Sequence, residues 1–167
     1  VINSYPEATV TDISNLAQDN VDLAYLNEGS KECALTLDDT RILYKYKIPM
    51  EIISQWGQVE HLSGNAIAVF HEHHVPIEYV KTVLDKLYHN DIYFSFTLSA
   101  NDLADTFEAG VPTSYVIAIK SIEDELAEKK WDALVGDNVY CHNFTGEDIA
   151  TLYKNNVSLQ KIRAMKD

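Results

Sequence analysis

The residues best equipped for chemistry are those of the run Phe70-His71-Glu72-His73-His74, where three imidazoles and a carboxylate could ligate zinc or another divalent ion. Spacing limits what they can do together. Residues two apart on a helix point to different sides, so His71 and His73 cannot chelate from one helix. His71 and His74, at i and i+3, can do so only if the helix continues through both. Cys141-His142 offers a thiol beside a base, but adjacent residues rarely face each other and no Gly-rich oxyanion loop accompanies them. Glu123-Asp124-Glu125, with Glu128 ahead of Lys129-Lys130, reads as a solvated helix face with a favourable Glu125–Lys129 pair, because exposed carboxylates lack the burial that acid–base work requires. The chain contains no phosphate loop, GxGxxG or GxSxG pattern. These residues predict no catalytic group and no cofactor, with His71 and His74 as outside candidates for a metal or small-molecule site.

Composition narrows the classes further. The 167 residues are 46% hydrophobic and 23% charged, an ordinary globular balance that argues against disorder and for a single folded domain over 1–167. Cys33 and Cys141 form no CxxC pair, so neither a disulfide framework nor a thiolate metal site is expected, and the balance leans to a reducing, cytoplasmic compartment. No apolar run approaches the roughly 20 residues that span a bilayer, and the opening Val1-Ile2-Asn3-Ser4-Tyr5-Pro6 lacks the regions of a signal peptide and reads as a processed or cut start. Twenty-six acidic residues against 13 basic ones give a net charge of −13, a field that repels phosphate backbones and anionic membranes and favours a basic protein partner.

The elements that position these residues recur. Val21, Ile48, Val75, Val111 and Val157 anchor columns of matching chemical type. Twelve residues before each anchor stands a hydroxyl, Thr9, Thr36, Ser63, Ser99 or Thr145, suited to an N-cap. Three residues further on, Asp12, Asp39, Ala66, Asp102 and Asp148 place a carboxylate at N3 in four cases of five, as a capping box requires. Just before each anchor, Asn20, Lys47, His74, Gly110 and Asn156 mark the C′ stop, and three of these are types that tolerate a left-handed backbone. Asp22, Pro49, Pro76, Pro112 and Ser158 then open a second helix, the prolines suiting its first turn. That helix carries an inward column of Tyr25, Ile52, Tyr79 and Tyr115, broken by Lys161. His71 shares a ring column with Tyr44, Phe107 and Tyr153, while His74 is a C′ residue, which makes both structural. Apolar linkers, 92–96 and 139–142, separate the later repeats, and no sheet is expected.

The last repeat, running from Asp148-Ile149-Ala150-Thr151-Leu152-Tyr153 through Asn156-Val157-Ser158 to Ile162-Arg163, resembles the helix-turn-helix of DNA-binding regulators. The recurring Ser/Thr-x-x-Asp-Ile-x-x-Leu-Tyr pattern ending in Val-Pro is similar to that of uncharacterised prokaryotic tandem helix-turn-helix repeat proteins, a resemblance that spans nearly the whole chain and implies no activity. DNA readout needs exposed basic and amide side chains on the second helix, and only the C-terminal one, with Gln160, Lys161, Arg163 and Lys166, is basic.

The sequence therefore predicts an all-α, solenoid-like tandem array of five helix-turn-helix (αα-hairpin) repeats, at about 8–30, 35–57, 62–90, 98–136 and 144–167. Its expected role is a non-catalytic protein–protein interaction or scaffold module. Asp38, Glu51, Glu72, Glu108, Glu123 and Glu125 form its acidic docking surface. The alternatives are a metal-dependent or small-molecule function around His71–His74 and a nucleic-acid contact through the C-terminal basic helix; membrane binding is not expected and the oligomeric state is open. Zinc or nickel in excess over protein is expected to leave the melting temperature unchanged. A rise abolished by His71→Ala would establish a site instead, since a ligand at about 100 times its Kd adds about 2.7 kcal/mol.

Overall fold

A computed structural model describes residues 5, 8–32, 35–57, 59, 62–88, 98–133 and 143–166. Among them the regular structure is entirely helical: α1 (Val10–Gln18), α2 (Leu23–Glu32), α3 (Leu37–Lys45), α4 (Met50–Trp56), α5 (Gly64–Glu72), α6 (Ile77–Tyr88), α7 (Ala100–Glu108), α8 (Thr113–Ala133), α9 (Gly146–Lys154) and α10 (Leu159–Lys166). The two apolar linkers fall outside the described residues.

The hydroxyl column supplies the N-caps of α1, α3, α5, α7 and α9. Each side-chain oxygen accepts the N3 amide at 3.1–3.2 Å. In four of these helices the N3 aspartate completes the box by accepting the N-cap amide, at 2.7 Å for Asp12, 3.1 Å for Asp39, 2.9 Å for Asp102 and 3.0 Å for Asp148. Ser63 caps α5 without that return bond because Ala66 has no carboxylate. At the other end all five C′ residues take positive φ: Asn20 50°, Lys47 56°, His74 52°, Asn156 53° and Gly110 70°. Lys47 and His74 adopt it against an intrinsic preference of about 1–2 kcal/mol. What holds them there is a pair of backbone bonds, the second of which runs from the anchor amide back to the helix: Ile48 to Leu43 (3.0 Å) and Val75 to Phe70 (2.8 Å). One detail differs from the sequence expectation. Pro49 has φ −62° and ψ 146°, so it occupies the extended cap position ahead of α4 and not the first helical turn.

The chain divides into two compact units, Val1–Ile77 and Glu78–Asp167. In the first, Leu43, Ile53, Ile67 and Phe70 are buried, with Phe70 stacked on Trp56 at 5.2 Å, and a satellite cluster joins Tyr5, Leu16, Leu26 and Leu37. In the second, Val80, Leu103, Val116, Ile119, Ile122, Ile149 and Ile162 form the core.

Two aspartates do double duty. While one oxygen of Asp39 closes its own capping box, Oδ1 accepts the Gly64 amide that opens α5 at 2.6 Å; Asp102 does the same for Gly146 of α9, also at 2.6 Å. Burial resists ionisation of Asp102, but the amides of Gly146 and Ser99 and the Ser99 hydroxyl outweigh it and hold the carboxyl below its ordinary range. The approach is so close that a Cβ on Gly64 would lie 2.5 Å from the Asp39 carbonyl oxygen, and one on Gly146 2.2 Å from that of Asp102. Gly110 has open space and needs glycine only for its φ. Gly64→Ala and Gly146→Ala are therefore expected to cost about 1–3 kcal/mol in chemical denaturation by collision. Gly110→Ala should cost about 1–2 kcal/mol through its dihedral. Asparagine should recover most of the loss at 110 and none at 64 or 146.

Candidate interaction surface

The surface available to a partner is what remains once helix stacking has taken its share of the polar side chains. The tyrosine column is taken first. Tyr25, Tyr79 and Tyr115 each donate from the hydroxyl to the carbonyl of the next anchor, Ile48 at 2.8 Å, Val111 at 2.8 Å and Val157 at 2.9 Å. Each ring also meets the ring column edge-on: Tyr25 with Tyr44 at 5.1 Å, Tyr79 with Phe107 at 5.4 Å and Tyr115 with Tyr153 at 5.3 Å. A phenol thus satisfies a turn carbonyl that the helix cannot reach.

Where Ile52 replaces the tyrosine, the ring column holds His71. His71 is half-buried on α5, whereas α5 ends at Glu72 and His74 is an exposed left-handed residue beyond it. The helical continuation that i,i+3 chelation needs is not there. Among the described residues no group of three or more His, Cys, Asp or Glu side chains converges on a metal-sized site. Cys33, Cys141 and His142 lie outside the described residues.

The six carboxylates of the predicted docking surface are spread over five helices, three in each compact unit. Glu51, Glu72 and Glu108 are exposed. Asp38 is exposed and paired with Arg41 at 2.8 Å, and Arg41 also reaches back to Asp19 at 3.0 Å. Glu125 is exposed and meets Arg163 of α10 at 3.1 Å.

Glu123 does not belong to this surface. It is 3% exposed, and Lys120, three residues earlier on α8, is 2% exposed. Their side chains pair at 2.8 Å around a single residue: Lys120 Nζ donates to the Phe144 carbonyl at 3.0 Å and Glu123 Oε1 accepts the Phe144 amide. The physical reason is their place in α8, each directly after a fully buried isoleucine, Ile119 or Ile122, so the stripe that packs toward the entry of α9 carries them inward. The alternation Ile119-Lys120…Ile122-Glu123 is the signal that a reading of the cluster as solvated overlooks.

Sequence columns also miss several exposed apolar side chains, Val10 (85%), Leu23 (60%) and Tyr46 (55%) among them. Between α1 and α3 a shallow notch lined by Asp12, Asn15, Leu16, Leu37, Asp38 and Arg41 has no room for a water molecule inside. Among the described residues no helix is long and apolar enough to cross a membrane. No family model, curated protein or solved structure matches the chain significantly.

The tyrosine hydroxyls give a pH signature. Burial pushes Tyr25 up to about 12 from an ordinary 10.0. It also raises Tyr115, and it raises Tyr79 against the opposing bond to Thr106. Because the folded values exceed the unfolded ones, the contribution is complete below pH 10 and is lost as pH climbs toward 12. Thermal denaturation should show a steep alkaline loss of stability over that window. Tyr→Phe at 25, 79 and 115 should cost about 0.5–1.5 kcal/mol each at neutral pH and flatten the alkaline limb.

Proposed function

We propose that this chain is a non-catalytic protein-binding module, a solenoid-like array of five helix-turn-helix repeats that meets a basic protein through its acidic face. The recurrence of the same capped start and left-handed stop at five places supports the repeat architecture. The observation that carries the functional reading is the division of labour among polar side chains. The tyrosine column, Asp39 and Asp102, and the Lys120–Glu123 pair all serve the backbone of a neighbouring helix or of the stretch that enters one. Asp38, Glu51, Glu72, Glu108 and Glu125 remain on the solvent side, and repeat architectures present such faces to partners. The basic helix α10 is a weaker candidate for contact with nucleic acid, since its Arg163 is already held by Glu125 and the chain carries a net charge of −13.

The test is capture of a partner followed by association kinetics. The rate constant should fall as the Debye length shrinks from about 30 Å at 0.01 M salt to about 10 Å at 0.1 M. Glu51→Lys and Glu72→Lys should each slow association while leaving the fold intact. A rate indifferent to salt, or tight binding to plain duplex DNA, would remove the acidic docking face and promote α10.

A further inference from the structure

The α3–α5 and α7–α9 contacts share one bond and differ in another. In both, the aspartate at the third helical position accepts the amide that opens the next odd-numbered helix, Asp39 that of Gly64 and Asp102 that of Gly146, each at 2.6 Å. The second contact adds a charged clamp. Lys120 Nζ donates to the Phe144 carbonyl at 3.0 Å, Glu123 Oε1 accepts the Phe144 amide, and Glu123 Oε2 lies 2.8 Å from the same Nζ. Both backbone groups of one residue, just ahead of Gly146, are thus held by opposite charges. The first contact has no place for such a clamp, because the offset that separates Lys120 from its anchor Val111 leads from Ile48 to Gly57, past the end of α4 at Trp56.

The clamp depends on one ionisation. Both side chains are buried, and two opposite charges are tolerated there only together, since removing one leaves the other uncompensated. A proton on Glu123 does that, and a neutral carboxyl is also a weaker acceptor for the Phe144 amide. No charge on α9 or α10 is placed to take over. On α9, Glu147 is exposed and Asp148 turns back to its cap Thr145, and on α10 Arg163 is held by the exposed Glu125. Asp102 of α7 and the half-buried Asp124 of α8 are themselves carboxylates, which acid neutralises in the same direction. Burial opposes the charge of Asp102, but its bonds with Gly146 and Ser99 and the charge of Lys120 hold its carboxyl below the ordinary range.

We infer that the Lys120–Glu123 pair is an acid-sensitive latch: loss of the Glu123 charge frees the entry of α9 from α8 at a pH where the α3–α5 contact stays closed. The sign follows from linkage, since a contact that needs the ionised carboxylate is present at neutral pH and lost as pH falls. Opening uncovers Ile149, fully buried while the latch is shut, so acid changes the apolar surface that the second unit offers. Neither side chain belongs to the exposed carboxylates, and the latch works without a basic partner.

The experiment is amide hydrogen exchange of the full chain from about pH 7 down to about pH 4, where carboxylates begin to titrate, with each rate divided by that of an unstructured peptide at the same pH. Ile149 and Ala150 of α9 report on the latch. Ile67 and Ala68, buried at the same positions of α5, are the internal reference. Over this range protection at Ile149 and Ala150 should fall at least about tenfold further than at Ile67 and Ala68, as the loss of one buried charge partner requires. Glu123→Gln, which removes the charge and keeps the shape, should show the acid level of α9 protection already at neutral pH and change little on acidification. Lys120→Met with Glu123→Leu, which removes both charges together, should keep α9 protected at both ends of the range. Equal losses in α5 and α9, wild-type α9 protection in Glu123→Gln at neutral pH, or an acid loss in the double variant as steep as in the wild type would each overturn the inference. If the double variant does not fold, the wild type and the glutamine variant decide it.

Discussion

A helix leaves its first four amides and last four carbonyls outside its own ladder, and α1, α3, α5, α7 and α9 are each only nine residues long. Helices that short are marginal in water on their own. Nearly every polar backbone group in them lies at an end, so the fold depends on how those ends are satisfied. A hydroxyl and a carboxylate close the start. A left-handed residue and a returning anchor amide close the stop, and the anchor's own carbonyl is then claimed by a tyrosine in three of the turns. The same bonds that end one helix thus attach it to its neighbour, and local capping and tertiary packing become one interaction.

This coupling explains what is legible in the sequence. Caps demand particular residue types at fixed offsets, so Thr9, Thr36, Ser63, Ser99 and Thr145, and the stops from Asn20 to Asn156, announce themselves. Lys47 and His74 do not, because nothing in their chemistry favours positive φ; the returning bonds of Ile48 and Val75 impose it from outside. Gly64 and Gly146 pass unnoticed for the opposite reason. Their role is the absence of a side chain, and the only hint is a glycine directly after a capping hydroxyl.

The candidate surface is less legible than the fold. A charge is read as solvent-facing by default, and that reading fails at Lys120 and Glu123, where two opposite charges lie deep beside Ile119 and Ile122 and share the Phe144 peptide. Buried ion pairs of this sort are weak contributors to net stability but leave a costly orphan when one partner is lost. Their persistence here fits a positional role, holding the chain as it enters α9. Exposure at Ile13 is invisible for another reason: it shares its column with Thr40, Ile67, Leu103 and Ile149, all of them buried, so residue type does not set it apart.

The Asp39–Gly64 and Asp102–Gly146 contacts also act as a key that governs which helix pairs can follow which. A pair whose first helix begins with leucine or alanine cannot be spliced behind Asp39 without driving a Cβ into its backbone, and a glycine-first pair placed behind Ala66 finds no carboxylate for its amide. Joining α3 directly to α9 by removing the intervening pairs keeps an aspartate against a glycine; removing only the pair that begins with α5 sets Asp39 against Ala100. Growth and shrinkage of this chain by recombination are therefore constrained by grammar at the junctions, and the helix pairs, alike in outline, are not interchangeable parts.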